Sequence, residues 1–245
     1  MPVIALQGIR GGIGTTSITA ALAWALQQLG ESVLVIDLSP DNLLRLHFNM
    51  PFELNRGWAR AELDGTGWPQ GAMRYGKKLD FLPFGRLSAA ERVKVRQQQS
   101  DTPQRWHDFL AQLRASGQYR WILLDIPAGD GPQIEQQLAL ADQVFLLLNP
   151  DANCHARLHQ QPLPAGCHLL INHYSSASPL QQDLHQLWLQ TLAGLLPLVI
   201  HRDEALAEAM AVKQPLGEYR PESLAADEVL TLANWCLLNL QEAEG

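Results

Sequence analysis

Cysteine is scarce in this chain, and no apolar run is long. Cys154, Cys167 and Cys236 are the three cysteines, and they form no C-x-x-C pair and no metal-ligand spacing. So sparse and odd a set excludes a disulfide framework and fits a reducing cytoplasm. No apolar stretch approaches the ~20 residues of a membrane span. The first eight residues lack the charged region of a signal peptide and read as a strand. A basic excess is also missing. The formal net charge is −7, which disfavours general nucleic-acid binding, since gripping phosphate backbones calls for positive charge. Residues 228–245 contain no Lys or Arg, so they lack the basic polar face of a lipid-surface helix. Direct membrane insertion is therefore not expected. Internal repeats and low-complexity tracts are absent as well.

What remains is the composition of a globular α/β protein. Hydrophobic residues make up 47% of 245, enough to bury a core. Residues 3–6 are a short apolar run closing on a Gly-rich turn, which predicts a buried strand. Residues 16–29 carry Ala20, Ala23, Leu26 and Leu29 in helical register, with Gly30 as a stop. Residues 32–37 form a second buried strand, so the opening is a βαβ unit with parallel strands. Further strands are predicted at 79–83, 120–125, 143–148, 167–172 and 196–200. Helices are predicted at 102–115, 132–141, 179–192, 203–211 and 221–240, and residues 41–78 look irregular. No linker interrupts the alternation. The expectation is one domain over 1–245, with a mostly parallel, twisted sheet covered by helices on both faces.

Two features of this plan carry chemistry. The loop Arg10-Gly11-Gly12-Ile13-Gly14-Thr15-Thr16-Ser17 follows a strand and opens a helix. Glycines let successive backbone N–H groups converge on an anion, and the helix N-terminus adds partial positive charge. A hydroxyl in the first helical turn, here that of Thr16, suits Mg²⁺. The ordinary phosphate-loop pattern wants Lys where Thr15 stands, and the dinucleotide fingerprint G-x-G-x-x-G is absent in this register. A Gly-rich turn that binds nothing is the competing reading. The second feature is a pair of carboxylates, Asp37 and Asp125, each closing a strand. Ligand crevices of open α/β sheets lie at such strand ends.

The loop resembles the deviant K-G-G-x-G-K-[ST] element of the ParA/MinD-like P-loop ATPases. Arg10 stands at that family's signature lysine, Gly11, Gly12 and Gly14 match, and Thr16 matches the Mg²⁺ ligand. Asp125-Ile126-Pro127-Ala128-Gly129 is similar to its D-x-P-A/P-G switch. Asp37-Leu38-Ser39-Pro40-Asp41 is similar to its D-x-D-P-Q element, with Ser39 replacing the Asp that positions water. Asn149-Pro150-Asp151 resembles its N/T-P element, and Asn172 occupies the place of an Asn that reads adenine. Ile200-His201-Arg202-Asp203 takes the place of its I-P-x-D segment beside the base.

The resemblance implies ATP and Mg²⁺ as ligands. Residues 10–17, Asn172, His201 and Asp203 would hold the nucleotide, and Thr16, Asp37 and Asp125 would serve the metal. It implies a homodimer across bound ATP, with Arg10 reaching the partner's phosphates. Thr15 and Ser39 imply slow or absent hydrolysis, because groups that orient water and stabilise charge are worth orders of magnitude in rate. Within that family the opening stretch 3–16, with Arg10 and Thr15 at the two lysine positions, and the stretch 37–45, Asp-Leu-Ser-Pro-Asp-Asn-Leu-Leu-Arg, resemble the branch serving bacterial cellulose secretion. That branch implies a cytoplasmic accessory factor recruited to the inner membrane by partners. The implied partners are a BcsR-like small regulatory protein, a BcsE-like regulator and the inner-membrane cellulose synthase complex. An actively cycling ATPase for positioning or DNA partitioning is the alternative. Eight of the 18 basic residues fall between Arg74 and Arg105, as a solvated helical face or as a docking surface for an acidic partner or lipid headgroups.

Overall fold

The computed structural model describes residues 1–102 and 104–240. The last five residues of the tail, 241–245, lie outside them. Eight strands form one sheet: β1 (Val3–Gly8), β2 (Val33–Asp37), β3 (Met73–Gly76), β4 (Leu79–Leu82), β5 (Trp121–Ile126), β6 (Gln143–Leu148), β7 (His168–Tyr174) and β8 (Leu195–His201). Their order is β3-β4-β2-β5-β1-β6-β7-β8. Every pairing is parallel except that of the edge strand β3 with β4.

The continuous apolar runs follow from burial on both faces. Successive side chains of β1 alternate: Ile4 and Leu6 enter one core, Val3 and Ala5 the other. β2 and β5 divide in the same way, Val33 and Val35 from Leu34 and Ile36, and Leu123 from Ile122 and Leu124. The first core takes α1 (Thr15–Gln28), α6 (Ala152–Gln160), α7 (Pro179–Thr191), α8 (Ala205–Ala211), α9 (Leu216–Tyr219) and α10 (Leu224–Leu240). The second takes α2 (Trp58–Leu63), α3 (Ala89–Asp101), α4 (Gln104–Ser116) and α5 (Pro132–Leu138). The sandwich of one sheet between two helical layers agrees with the sequence expectation. So do all seven strands anticipated, with ends displaced by one or two residues.

Residues 41–78 are more ordered than their composition suggested. They hold α2, β3 and two short 3-10 turns, Leu44–Leu46 and Trp68–Gly71. Trp58, fully buried, anchors this stretch by donating its indole N–H to the carbonyl of Asp37 at 2.8 Å. Trp68 and Trp106 pack beside it, with ring centroids 5.8 and 5.0 Å from that of Trp58. α3 starts at a capping box: Ser88 accepts from the Glu91 N–H, and Glu91 accepts from the Ser88 N–H. It carries part of the basic stretch, and of its side chains only Val95 and Gln99 are buried among the described residues. The helical reading of that stretch therefore holds for α3. No helix of the described residues is long and apolar enough to cross a membrane.

Candidate functional site

β1 lies between β5 and β6, so its C-terminal end opens into the crevice where strand order reverses. The Gly-rich loop fills that point. Gly8 lets it turn, because a Cβ there would sit 2.8 Å from the Arg10 carbonyl oxygen and 2.7 Å from Thr15 Oγ1. Gly14 has φ +87° and caps α1, and a Cβ would meet Asn172 Nδ2 at 2.7 Å. Only glycine is tolerated there at low cost. No side chain caps α1, and its first turn carries no acidic residue. The N–H groups at the start of this 14-residue helix are thus left to an anion. Around Gly11 and Gly12 there is open space, with nothing within 4 Å of an added Cβ.

Thr16, in the first turn of α1, lies beside Asp125, and its hydroxyl favours the charged form of that carboxylate. Asp125 and Asp37 are register partners on adjacent strands, and both are essentially without solvent exposure. Burial pushes Asp125 up to about 7, with the Thr16 hydroxyl as the opposing influence. Asp37 is raised well above the usual carboxylate range by burial first and by the charge of Asp125 second. Its two oxygens accept from the backbone N–H groups of Ser39 (2.9 Å) and Leu44 (3.3 Å). Asp125 Oδ2, by contrast, is buried without a partner. Two crowded carboxylates and a hydroxyl form an all-oxygen donor set of the kind that hard cations such as Mg²⁺ prefer. No group of three or more His, Cys, Asp and Glu side chains is placed to hold a metal ion among the described residues, so a cation here would complete its shell from water and ligand oxygens.

The remaining residues anticipated from the sequence divide in two. Asn172 underlies the loop: its Nδ2 donates to the Ile13 carbonyl at 2.7 Å, while its buried Oδ1 has no partner. Ser17 also sits in the first turn of α1, its hydroxyl 3.3 Å from His47 Nε2. His201 and Asp203 are already engaged. His201 donates its backbone N–H to Glu228 at 2.7 Å and holds that carboxylate with Nδ1 at 2.5 Å. Asp203 accepts from the N–H groups of Ala205 (2.9 Å) and Ala225 (3.2 Å), joining the starts of α8 and α10. Arg10 is turned toward its own chain, where Nη2 meets Asp151 at 2.6 Å. Ser39 accepts the Asp41 N–H on its hydroxyl, and Asp41 itself is exposed.

Two contributors have no role assigned from the sequence, although Asp151 is named within the Asn149-Pro150-Asp151 element. Gln7, 4% exposed, donates from Nε2 to the carbonyls of Gly129 (3.0 Å) and Pro127 (3.3 Å), tying β1 to the segment after β5. A polar residue at the end of an apolar strand was the available signal. Asp151 both caps α6, accepting from Cys154 N–H at 2.8 Å, and binds Arg10. Its position before a helix start was the signal there.

Comparison with known proteins agrees with this architecture. The family model described as "Cellulose biosynthesis protein BcsQ" matches residues 1–237. The protein of that description from Salmonella typhimurium is 58% identical over 98% of this chain and 95% of its own length. Among solved structures, the Aquifex aeolicus MinC:MinD cell division complex superimposes with a TM-score of 0.77, at 16% identity, over 100% of this chain and 99% of that one. The Pyrococcus horikoshii septum site-determining protein MinD, complexed with Mg-ADP, gives 0.75 at 23% identity, over 98% of each chain. The fold is therefore that of the MinD/ParA-type P-loop ATPases, and by sequence this chain belongs to the BcsQ family of cellulose biosynthesis proteins.

Proposed function

We infer that this chain is an ATP-binding accessory factor of bacterial cellulose synthesis and secretion, which dimerises across bound nucleotide and turns it over slowly or not at all. One observation carries the reading: the uncapped N-terminus of α1 faces open space beside a buried carboxylate pair with an unpartnered oxygen. Residues 10–17 would hold the phosphates, chiefly through backbone N–H groups. Thr16, Asp37 and Asp125 would serve Mg²⁺, which neutralises charge among phosphates and carboxylates. The free Oδ1 of Asn172 suits an exocyclic amine of a base, with His201 and Asp203 fixing the wall beside it.

Slow turnover rests on two replacements. Thr15 offers no cation to the phosphates, which forfeits about 1.5–3 kcal/mol of charge-assisted binding. Ser39 offers a hydroxyl already engaged in its own turn where a water-orienting carboxylate is wanted. Membership of the family supports the cellulose synthase complex of the inner membrane as the site of recruitment. BcsR-like and BcsE-like proteins are then the partners of a cytoplasmic dimer.

The test is the nucleotide content and mass of the purified protein. ATP released on denaturation, with a dimer in Mg²⁺-ATP and a monomer in EDTA, is the expected result. Thr16→Ala should abolish the Mg²⁺ dependence. ADP released from a dimer that dissolves as phosphate appears would replace the slow reading by a cycling one. Absence of nucleotide and of dimer under all these conditions would overturn the proposal.

A further inference from the structure

A groove runs between α3 and α5, away from the loop but against the segment that follows β5. It consists of two depressions, of about 310 and 110 Å³, that meet at Gln133 and Gln137. The larger is floored by apolar side chains, among them Trp58, Phe84 and Ile134, and reaches Pro127, Asp130 and Gly131. Arg92 and Arg96 of α3 stand at its edge, exposed, and neither forms an ion pair among the described residues. At the floor of the smaller depression lie two amides that are more than nine-tenths buried. Gln99 spends its Oε1 on the Trp106 indole at 2.6 Å but leaves Nε2 without a partner. Gln137 leaves Oε1 without a partner.

A buried amide donor and a buried amide acceptor, both unmatched, are what one peptide unit satisfies with its C=O and N–H. The distance from Arg92 to Gln99 along α3 is roughly 10 Å at 1.5 Å per residue, the length of about three extended residues. Two free arginines above an apolar floor ask for carboxylates beside apolar side chains.

We propose that the groove between α3 and α5 is a docking site for an acidic, apolar peptide segment of a partner protein, bound in extended form against Gln99 and Gln137 under Arg92 and Arg96. Because the groove is walled by Pro127 and Gly131, its occupancy also bears on the segment that Gln7 tethers.

The test uses the full chain and a displayed library of random 12-residue peptides, counter-selected on the Arg92→Glu/Arg96→Glu variant. Selected peptides are then made with a fluorescein label and titrated by polarisation. Carboxylates next to apolar residues should be enriched, and affinity should fall at least ten-fold in the double variant and in Gln137→Leu. Arg92 and Arg96 are exposed, and Gln137→Leu removes an unmatched buried acceptor, so each variant should melt at or above the parent. Failure to enrich any peptide, or binding indifferent to these substitutions, would refute the site. So would retention on phosphatidylserine vesicles that is lost with the arginines but kept in Gln137→Leu, which would make α3 a lipid-facing helix.

Discussion

His47 shows how far one buried side chain can tune this fold. It is 1% exposed, contacts Ser17 beside the loop, and is held down to about 4 by burial. The unfolded chain takes up a proton near 6.5, which the folded ring refuses. Stability contributed by the neutral ring is therefore complete above that value and drains as pH falls toward 4. At pH 5 the loss amounts to about 2 kcal/mol relative to pH 7.5, by linkage. Urea unfolding at these two pH values, on the parent and on His47→Gln, isolates the effect from other titrating groups. The variant should lose about 2 kcal/mol less across the interval. Equal losses in both proteins would mean that the ring is protonated in the fold.

Elements transmit such local terms, and the link between β1 and the segment after β5 is the one most relevant to the site. Gln7→Leu preserves the bulk of the side chain but strips the donor from the carbonyls of Pro127 and Gly129. Leaving such groups unmatched costs about 1–3 kcal/mol. Amide exchange over residues 127–134 should quicken several-fold while β5 stays protected, and uniform exchange would show that the tether is dispensable. The same contact explains what sequence could and could not reveal. Strands β1, β2 and β5 were legible because burial on both faces imposes unbroken apolar runs. β3 and α2 were not, since four and six residues are too few to show a period, and Trp58 secures α2 through a tertiary bond. The proposed ligand positions Gly14, Thr16, Asp37 and Asp125 stand out in the sequence because phosphate loops and strand-end carboxylates have local signatures. Gln7 acts on residues more than a hundred positions away, and nothing near it in the chain encodes that.

At the scale of the molecule, the sheet order sets β6 beside β1 and so brings Asp151 to Arg10. The arginine that the resemblance would send across a dimer is thereby engaged within its own chain. The pair is partly exposed, about 30% on each side chain, so its hold is modest, ~0.5–1 kcal/mol. Dimerisation across nucleotide would release two such pairs, one per protomer. Asp151→Asn keeps a good cap for α6 while giving up the charge, so it separates the latch from the helix it begins. If Arg10 must leave Asp151 to reach its partner, the variant should dimerise roughly ten-fold more tightly in Mg²⁺-ATP, from two contributions of about 0.7 kcal/mol. Sedimentation equilibrium over a concentration series reads this directly. A weaker dimer would instead assign Asp151 to the interface itself, holding Arg10 in the pose it uses there.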